Sequence, residues 1–167
     1  MNHSLRVASV CLAAYMCCMI LCQSVHGYNW PLQPATSAHP INGTLGEYRA
    51  GPPLHLHDGV DIGGSNGESV YSIDGGTAVR GGAGENTYVQ VGEKFYIHLD
   101  DRIPDLSSVT PGMRLGRIRA GSGHVHLREG YEGPIVNPLR SGGLTPYTDS
   151  SSPVVLSIEV VKDCTPA

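Results

Sequence analysis

Apolar residues occur in short runs along most of the chain, and glycines and prolines separate these runs. Short runs rich in Val, Ile, Leu and Tyr are typical of β-strands, and no long amphipathic helix pattern or internal repeat interrupts them. The pattern predicts an all-β fold: a single small domain of antiparallel sheets joined by Gly-rich hairpins. We expect its strands near residues 69–73, 77–80, 86–91, 94–99, 114–119 and 123–128.

Turn residues and polar stretches divide the rest of the chain. The Asp74-Gly75-Gly76 sequence predicts a hairpin turn, and Pro111-Gly112 predicts another turn. Residues 28–40 are expected to form an extended lead-in. Residues 141–153 are rich in Ser, Gly and Pro, which is typical of a linker, and the apolar run at 154–161 predicts one more strand or the start of a further domain.

The first 27 residues have the pattern of a signal peptide. Arg6 gives a positive start, and the apolar run at residues 7–22 is short for a membrane span. Val25 and Gly27 are small enough to precede a cleaved bond. We therefore expect a signal peptide at 1–27, the main domain at 28–140 and a linker with a terminal strand at 141–167. The alternative is that the first segment remains as a membrane anchor.

Composition narrows the expected partners. Removal of the signal peptide would leave about 140 residues, enough for one hydrophobic core. No stable membrane span is expected in the protein that remains. Four of the five cysteines lie in the signal segment, so only Cys164 remains and no internal disulfide framework is available. The net charge is −4 and no basic block occurs, which argues against a nucleic-acid partner. A monomer secreted outside the cytoplasm, or held in the periplasm or cell envelope, is expected.

Histidines and one aspartate supply the candidate chemistry. His57 and Asp61 stand four residues apart in HDGVD. The glycines and prolines around them argue against a helix, and on a straight strand they would lie roughly 13 Å apart. Both can reach one ion only if the backbone bends, and Gly59 is where a bend is tolerated.

Two more histidines, His124 and His126, alternate in GHVHLRE, and His98 stands alone in FYIHLDD. On a strand, His124 and His126 point to the same face about 6.6 Å apart. One of them can therefore bind a metal ion while the other lies beside it. Together the five residues could supply three metal ligands and two further imidazoles. A catalytic zinc has three protein ligands and an open fourth position for water.

The same segments resemble the M23 family of zinc metallopeptidases, the lysostaphin-like or LytM-type cell-wall endopeptidases. HDGVD is similar to the family's H-x-x-x-D motif, YIHL to its Y-x-H-L strand, and HVHLRE to its H-x-H strand. The resemblance covers roughly residues 41–140, with the motifs in family order. Leu127 and Arg128 depart from it, since they stand where the family usually has Phe and Glu.

The resemblance implies a β fold of the duplicated-hybrid-motif kind and a role for each residue. His57, Asp61 and His126 would be the Zn²⁺ ligands, and His98 and His124 would be the catalytic histidines, with their separate roles left open. The implied activity is hydrolysis of peptide bonds in bacterial peptidoglycan, so the implied partner is a peptidoglycan peptide. Asp58, next to the first ligand, is expected to be a solvated turn carboxylate.

Three other functions are compatible with parts of the pattern. A non-catalytic M23-like domain could bind or regulate a cell-wall hydrolase, but such domains usually lack some of the metal ligands. A sugar-phosphotransferase carrier also uses two histidines, yet it works in the cytoplasm, which the signal segment argues against. A structural or adhesive surface domain could use a metal only to stabilise its fold. Its metal would be closed by a fourth protein ligand, whereas a catalytic metal keeps the fourth position open.

Overall fold

The computed structural model describes residues 27–50, 54–131 and 133–149. Within these ranges it contains twelve strands and one 3₁₀ turn at Gly84–Asn86. The strands are β1 (Ile41–Gly43), β2 (Tyr48–Arg49), β3 (His55–Leu56), β4 (Val60–Gly63), β5 (Ser69–Tyr71), β6 (Gly76–Gly81), β7 (Tyr88–Val91), β8 (Lys94–Ile97), β9 (Leu99–Asp100), β10 (Ser108–Val109), β11 (Arg114–Ile118) and β12 (His124–Glu129). The predicted signal segment, up to residue 26, and the strand predicted at 154–161 lie outside the described residues.

The strands form three antiparallel sheets. Seven of them make the main sheet, in the order β1-β4-β12-β8-β7-β6-β10, and β5, β11 and β9 make a second sheet. The short strands β2 and β3 pair only with each other. The prediction of a small all-β domain built from antiparallel sheets is confirmed. Among the described residues, no helix is long and apolar enough to cross a membrane.

All six of the strands predicted in the described region are present, although their ends differ by a few residues. Strands β1 to β4, β9 and β10 were not predicted, because most of them are too short to show an alternating pattern. The hairpin predicted at Asp74-Gly75-Gly76 is wrong. The strand before this turn, β5, pairs with β11, whereas the strand after it, β6, pairs with β7 and β10. The turn therefore connects two sheets.

The main sheet has one face in the hydrophobic core and one face toward the histidines. On β12, Val125 and Leu127 are fully buried, and they pair with core residues of β4 and β8. Because side chains alternate along a strand, His124, His126 and Arg128 lie on the opposite face. The core thus fixes the backbone that carries the histidines.

The lead-in at residues 28–40 differs from the extended segment that we expected. It contains bends and a turn, and it buries Trp30 and Leu32 in the main core. The backbone of Tyr28 pairs with that of Leu144, so the chain before the sheets packs against the chain after them. Two apolar side chains in this short segment outweigh its high Pro content, because burying them removes a large apolar area from water.

Candidate metal centre

A bend in the HDGVD segment brings its two candidate ligands together. The chain bends at Gly59 before it enters β4, which carries Asp61. His57 Nε2 then lies 3.0 Å from Asp61 Oδ1. Gly59 is needed at the bend because a Cβ there would lie 2.5 Å from His126 Nε2 and 2.6 Å from the Leu127 carbonyl oxygen.

The third residue of the group comes from the neighbouring strand. In the β4–β12 register His126 is directly opposite Asp61. His126 Nδ1 lies 3.0 Å from Asp61 Oδ1 and 2.9 Å from His57 Nε2. All three side chains are buried. The structure thus brings together the three residues for which the resemblance implies metal binding.

The hydrogen bonds around the rings determine which atoms face one another. His57 Nδ1 lies 2.8 Å from the Thr44 carbonyl oxygen, which can only accept, so the ring donates its hydrogen there. In the neutral ring, Nε2 then carries a lone pair, and it points at Asp61 Oδ1, another acceptor. His126 Nε2 lies 3.2 Å from Asp58 Oδ1. In the tautomer that carries its hydrogen on Nε2, next to that carboxylate, His126 Nδ1 keeps a lone pair as well.

In this tautomer three acceptor atoms meet in a buried place, and they need a positive charge between them. Tetrahedral bonds of about 2.0–2.1 Å place ligand atoms about 3.4 Å apart, slightly wider than the contacts found here. A small outward rotation of the rings would accommodate an ion. Two imidazoles and one carboxylate could therefore hold a metal ion, and this donor set suits zinc among other transition metals.

A cation beside Asp61 supports its charge. Arg49 Nη2 donates to Asp61 Oδ2 at 2.8 Å, which leaves Oδ1 for the two histidines. Burial by itself would raise the pKa of Asp61, but a hydrogen bond from His126, in the tautomer that donates from Nδ1, and the charges of the nearby histidines hold that pKa well below its usual range. The carboxylate is therefore ionised, as a metal ligand must be. Sequence reasoning missed Arg49, because its residue type and position carry no ligand pattern.

The two remaining histidines lie side by side at the edge of this group. The rings of His98 and His124 meet edge-on, 4.8 Å apart between centroids. His98 Nδ1 donates to the Glu85 carbonyl at 2.6 Å, and His124 Nδ1 donates to the Ser122 carbonyl at 2.6 Å. Each neutral ring therefore keeps an accepting Nε2. For His124 this atom lies 3.5 Å from Asp61 Oδ1, so His124 borders the group of three without belonging to it.

His98 occupies a strained position. Its φ is +66°, in the left-handed region that residues with a side chain rarely adopt. The backbone on both sides is fixed: the His98 carbonyl accepts from the Arg119 amide, and the Leu99 amide donates to the Thr87 carbonyl. Burial first, and then the charges of His124 and His126, lower the pKa of His98, while the Glu85 carbonyl raises it. A strained, partly buried imidazole is typical of a functional site.

An open groove of about 1050 Å³ exposes these side chains. Its lining is apolar and aromatic on several sides, and it contains two arginines, Arg49 and Arg128. The larger aromatic and apolar side chains of the lining are Tyr48, Leu56, Tyr88, Phe95, Ile97 and Tyr131. Leu56 and Tyr131 are largely exposed, so the groove has apolar rims that an extended peptide could contact.

Asp58 differs from the solvated turn carboxylate that we expected. It approaches His126 as described, and its second oxygen lies 3.5 Å from Arg128 Nη1. The interaction with His126 first, and the charge of Arg128 after it, lower the pKa of Asp58 against the effect of burial. Burial would lower the pKa of His126, but Asp58 and Asp61 raise it. No sequence signal connected Asp58 with a strand that begins 66 positions later.

Similar solved structures exist, although no protein-family model and no curated protein matches the chain. Helicobacter pylori Csd3 is 22% identical with a TM-score of 0.55, over 70% of this chain and 34% of that one. A zinc-containing peptidase from Vibrio cholerae is 19% identical with a TM-score of 0.52, over 67% and 39%. Lysostaphin in solution is 18% identical with a TM-score of 0.56, over 75% and 59%.

These similarities concern the fold. The chain spans between about a third and three fifths of the length of each of the three proteins. At identities below 25% the shared architecture does not carry an activity from one protein to another. The antiparallel β fold of this chain is therefore what it shares with these three structures.

Proposed function

We propose that the protein is a zinc-dependent endopeptidase that hydrolyses peptide bonds of bacterial peptidoglycan. The observation that carries the proposal is the meeting of His57 Nε2, Asp61 Oδ1 and His126 Nδ1 at the floor of an open groove. Zinc is proposed as the ion because the donor set suits it and because one protein of the same fold is a zinc-containing peptidase. Peptidoglycan is proposed from the resemblance to the lysostaphin-like family.

The three ligands would hold the ion with one side open to the groove. When bound, a zinc ion supplies Lewis-acid polarisation of a carbonyl and lowers the pKa of water toward 7. Arg49 keeps one oxygen of Asp61 occupied, so that the carboxylate offers a single oxygen to the ion. The Thr44 carbonyl fixes the orientation of His57 in the same way.

His98 and His124 would move the protons of the reaction. Both rings donate Nδ1–H to a backbone carbonyl, which fixes their tautomer and leaves Nε2 as the atom that accepts a proton. One ring can take a proton from the attacking water, and the other, when protonated, can stabilise the negative oxygen that develops on the substrate. His124 lies closer to the ligand group, but the geometry is compatible with either assignment of the two roles.

The apolar rims of the groove suit an extended peptide rather than a charged polymer. Tyr48 and Leu56 stand on the β2–β3 ribbon along one rim, and Tyr131 follows β12. A peptide bound between them would place one of its bonds over the ligand group. The substrate is expected outside the cytoplasm, which agrees with the export that we propose for the segment 1–27, either cleaved near Tyr28 or retained as an anchor.

Metal analysis and digestion of defined peptidoglycan test this function. The wild-type mature protein should contain one zinc ion and release new amino termini from peptidoglycan. His57→Ala and His126→Ala should lose the zinc. His98→Ala and His124→Ala should keep it and lose activity by roughly 10²-fold or more. His39→Gln is the matched control, because His39 contacts Trp30 and does not line the groove.

Different results would contradict different parts of the proposal. Full zinc occupancy in His57→Ala and His126→Ala would refute the ligand assignment. Loss of zinc in His124→Ala would make His124 a ligand. A wild-type protein that binds zinc but cleaves no peptidoglycan peptide would support the alternative function, a non-catalytic domain that binds or regulates a cell-wall hydrolase.

A further inference from the structure

When Nδ1 of His126 faces a metal ion, the ring carries its hydrogen on Nε2, and that hydrogen needs an acceptor. Its Nδ1 points toward Asp61, and its Nε2 points away from the ligand group. Nε2 is buried and makes no well-aligned hydrogen bond within the part of the chain that the structure describes. An unpaired buried N–H costs about 1–3 kcal/mol, so an acceptor close to this atom matters.

Asp58 is the carboxylate next to that atom. Its Oδ1 lies 3.2 Å from His126 Nε2, within ion-pair distance although not aligned for a hydrogen bond. The Asp58 side chain is 42% exposed and can rotate, whereas the His126 side chain is 8% exposed and fixed. A small rotation of Asp58 therefore completes the bond. Gly59 allows this approach, since its missing Cβ leaves room for the ring.

Arg128 holds Asp58 from the other side. It stands two residues after His126 on the same face of β12, and its Nη1 lies 3.5 Å from Asp58 Oδ2. Its guanidinium also lies over the Phe95 ring, 5.2 Å from the centroid. Each oxygen of Asp58 thus faces one partner. The lysostaphin-like family usually has Glu where Arg128 stands, and a glutamate there would repel Asp58.

We propose that Asp58 is a positioning residue for the metal ligand His126, and that Arg128 acts through it. Asp58 accepts the Nε2–H of His126, which fixes the tautomer whose Nδ1 lone pair faces the metal. A carboxylate that accepts a hydrogen bond from the second N–H of a ligand histidine also makes the other ring nitrogen a stronger electron-pair donor to the metal. The proposal rests on the proposed function and deepens it, because it says how this chain supports His126 without the glutamate that is usual in the family.

The effect of Asp58 on His126 can be measured as a change in zinc affinity, without any substrate. In a competition with a chromophoric chelator, with zinc as the only added metal, Asp58→Ala should bind zinc 10–100-fold more weakly than wild type. Asp58→Asn should fall between the two, because a carboxamide oxygen still accepts but carries no charge. Asp101→Asn is the matched control: Asp101 also pairs with arginines, but it is exposed and does not contact the ligands. Its zinc affinity should equal that of wild type.

A spectroscopic readout separates positioning from a merely structural role. In the zinc-loaded wild-type protein, the Nε2–H proton of His126 should resonate downfield and exchange slowly with solvent, because Asp58 accepts it. In Asp58→Ala that resonance should move upfield and exchange faster. The melting temperature without metal should change little, because a neutral His126 can then donate from Nδ1 to Asp61 instead.

The contribution of Arg128 is tested by a double mutant. Arg128→Ala should weaken zinc binding less than Asp58→Ala does. The double variant should bind zinc as weakly as Asp58→Ala alone, because Arg128 acts through Asp58. Additive losses would show that Arg128 acts independently and would overturn that part.

Wild-type zinc affinity in Asp58→Ala, or an unchanged Nε2–H resonance of His126 in the zinc-loaded variant, would overturn the proposal for Asp58 while leaving the zinc site intact. A wild-type protein that binds no zinc would instead overturn the proposed function, and the positioning role with it. A protein that binds zinc, loses affinity on Asp58→Ala and cleaves no peptide would support the positioning role and refute the peptidase activity. Failure of the positioning role of Asp58 can therefore be distinguished from failure of the proposed peptidase function.

Discussion

Replacing Gly59 with alanine tests whether the bend in HDGVD is what assembles the metal centre. Gly59 separates His57 from Asp61, and its backbone passes directly over the His126 ring. A methyl group there would lie 2.5 Å from His126 Nε2, 3.0 Å from Cε1 of the same ring and 2.6 Å from the Leu127 carbonyl oxygen. The contacts of 2.5 Å and 2.6 Å are shorter than real Cβ atoms make, so part of the structure must move.

The loss of stability in Gly59→Ala depends on which neighbouring atoms can move away from the new methyl group. The Leu127 carbonyl belongs to the backbone of β12, in the part that pairs with β4. His126 is buried between the same strands. Neither is the free end of a flexible side chain, so we expect a cost near the upper end of the about 1–3 kcal/mol typical of overpacking. For a domain of this size, that corresponds to a fall in melting temperature of roughly 8–12 °C. Displacement of His126 should also weaken zinc binding by more than tenfold.

Thermal unfolding and chelator competition, both on Gly59→Ala, measure the two effects. Gly75→Ala is the matched control, because a Cβ there would meet neighbouring atoms at 3.4 Å or more and Gly75 has no positive φ. Its stability should stay within about 0.5 kcal/mol of wild type or rise slightly. If Gly59→Ala had the same melting temperature and zinc affinity as Gly75→Ala, the close approach of Gly59 to His126 would not be what determines the centre.

Three further predictions concern stability. His98→Gly should be about 1 kcal/mol more stable to urea unfolding than His98→Ala, because glycine adopts a φ of +66° without strain; equal stabilities would contradict the strain. Burial raises the pKa of Glu129, but hydrogen bonds from Arg140 and Tyr28 outweigh this and hold it below the ordinary 4.5. The contribution of ionised Glu129 to the free energy of unfolding is therefore complete above pH 4.5 and is lost as the pH falls through its folded-state pKa. The free energy of unfolding of Glu129→Gln should therefore depend less on pH in the acid range than that of wild type. The same pH dependence in both proteins would refute this. Trp30→Ala should cost about 3–5 kcal/mol, because the side chain is 2% exposed; a loss below 1 kcal/mol by calorimetry would show that the lead-in does not belong to the core.

The sequence predicted the strands that are long enough to alternate, and it failed where pairing is decided over long distances. Strands β2, β3, β9 and β10 have two residues each, so no alternation exists to detect. The turn at residues 74–76 has ordinary hairpin residues, yet its two flanking strands pair elsewhere. Local turn chemistry determines the direction of the backbone, whereas partner strands from other parts of the chain determine the sheet.

The candidate site could be predicted as far as its side chains carry a pattern. His57 and Asp61 are four residues apart in one segment, and the strand that contains His126 has its own alternation. Their supports are mostly backbone groups: the carbonyls of Thr44, Glu85 and Ser122 hold three of the rings. A carbonyl exists at every residue, so nothing in the sequence distinguishes these three.

The alternation of β12 also explains why the five site residues divide into two groups. His124 and His126 point to the same face, but only His126 stands opposite Asp61 in the β4 register; His124 stands opposite Gly63. The strand spacing of about 6.6 Å exceeds what one ion can span with bonds of about 2 Å. His124 is therefore left beside the group, where it meets His98. The register of a single pair of strands thus separates His126, proposed to bind the metal, from His124, proposed to move protons, and a shift of that register by two residues would place His124 opposite Asp61 instead of His126.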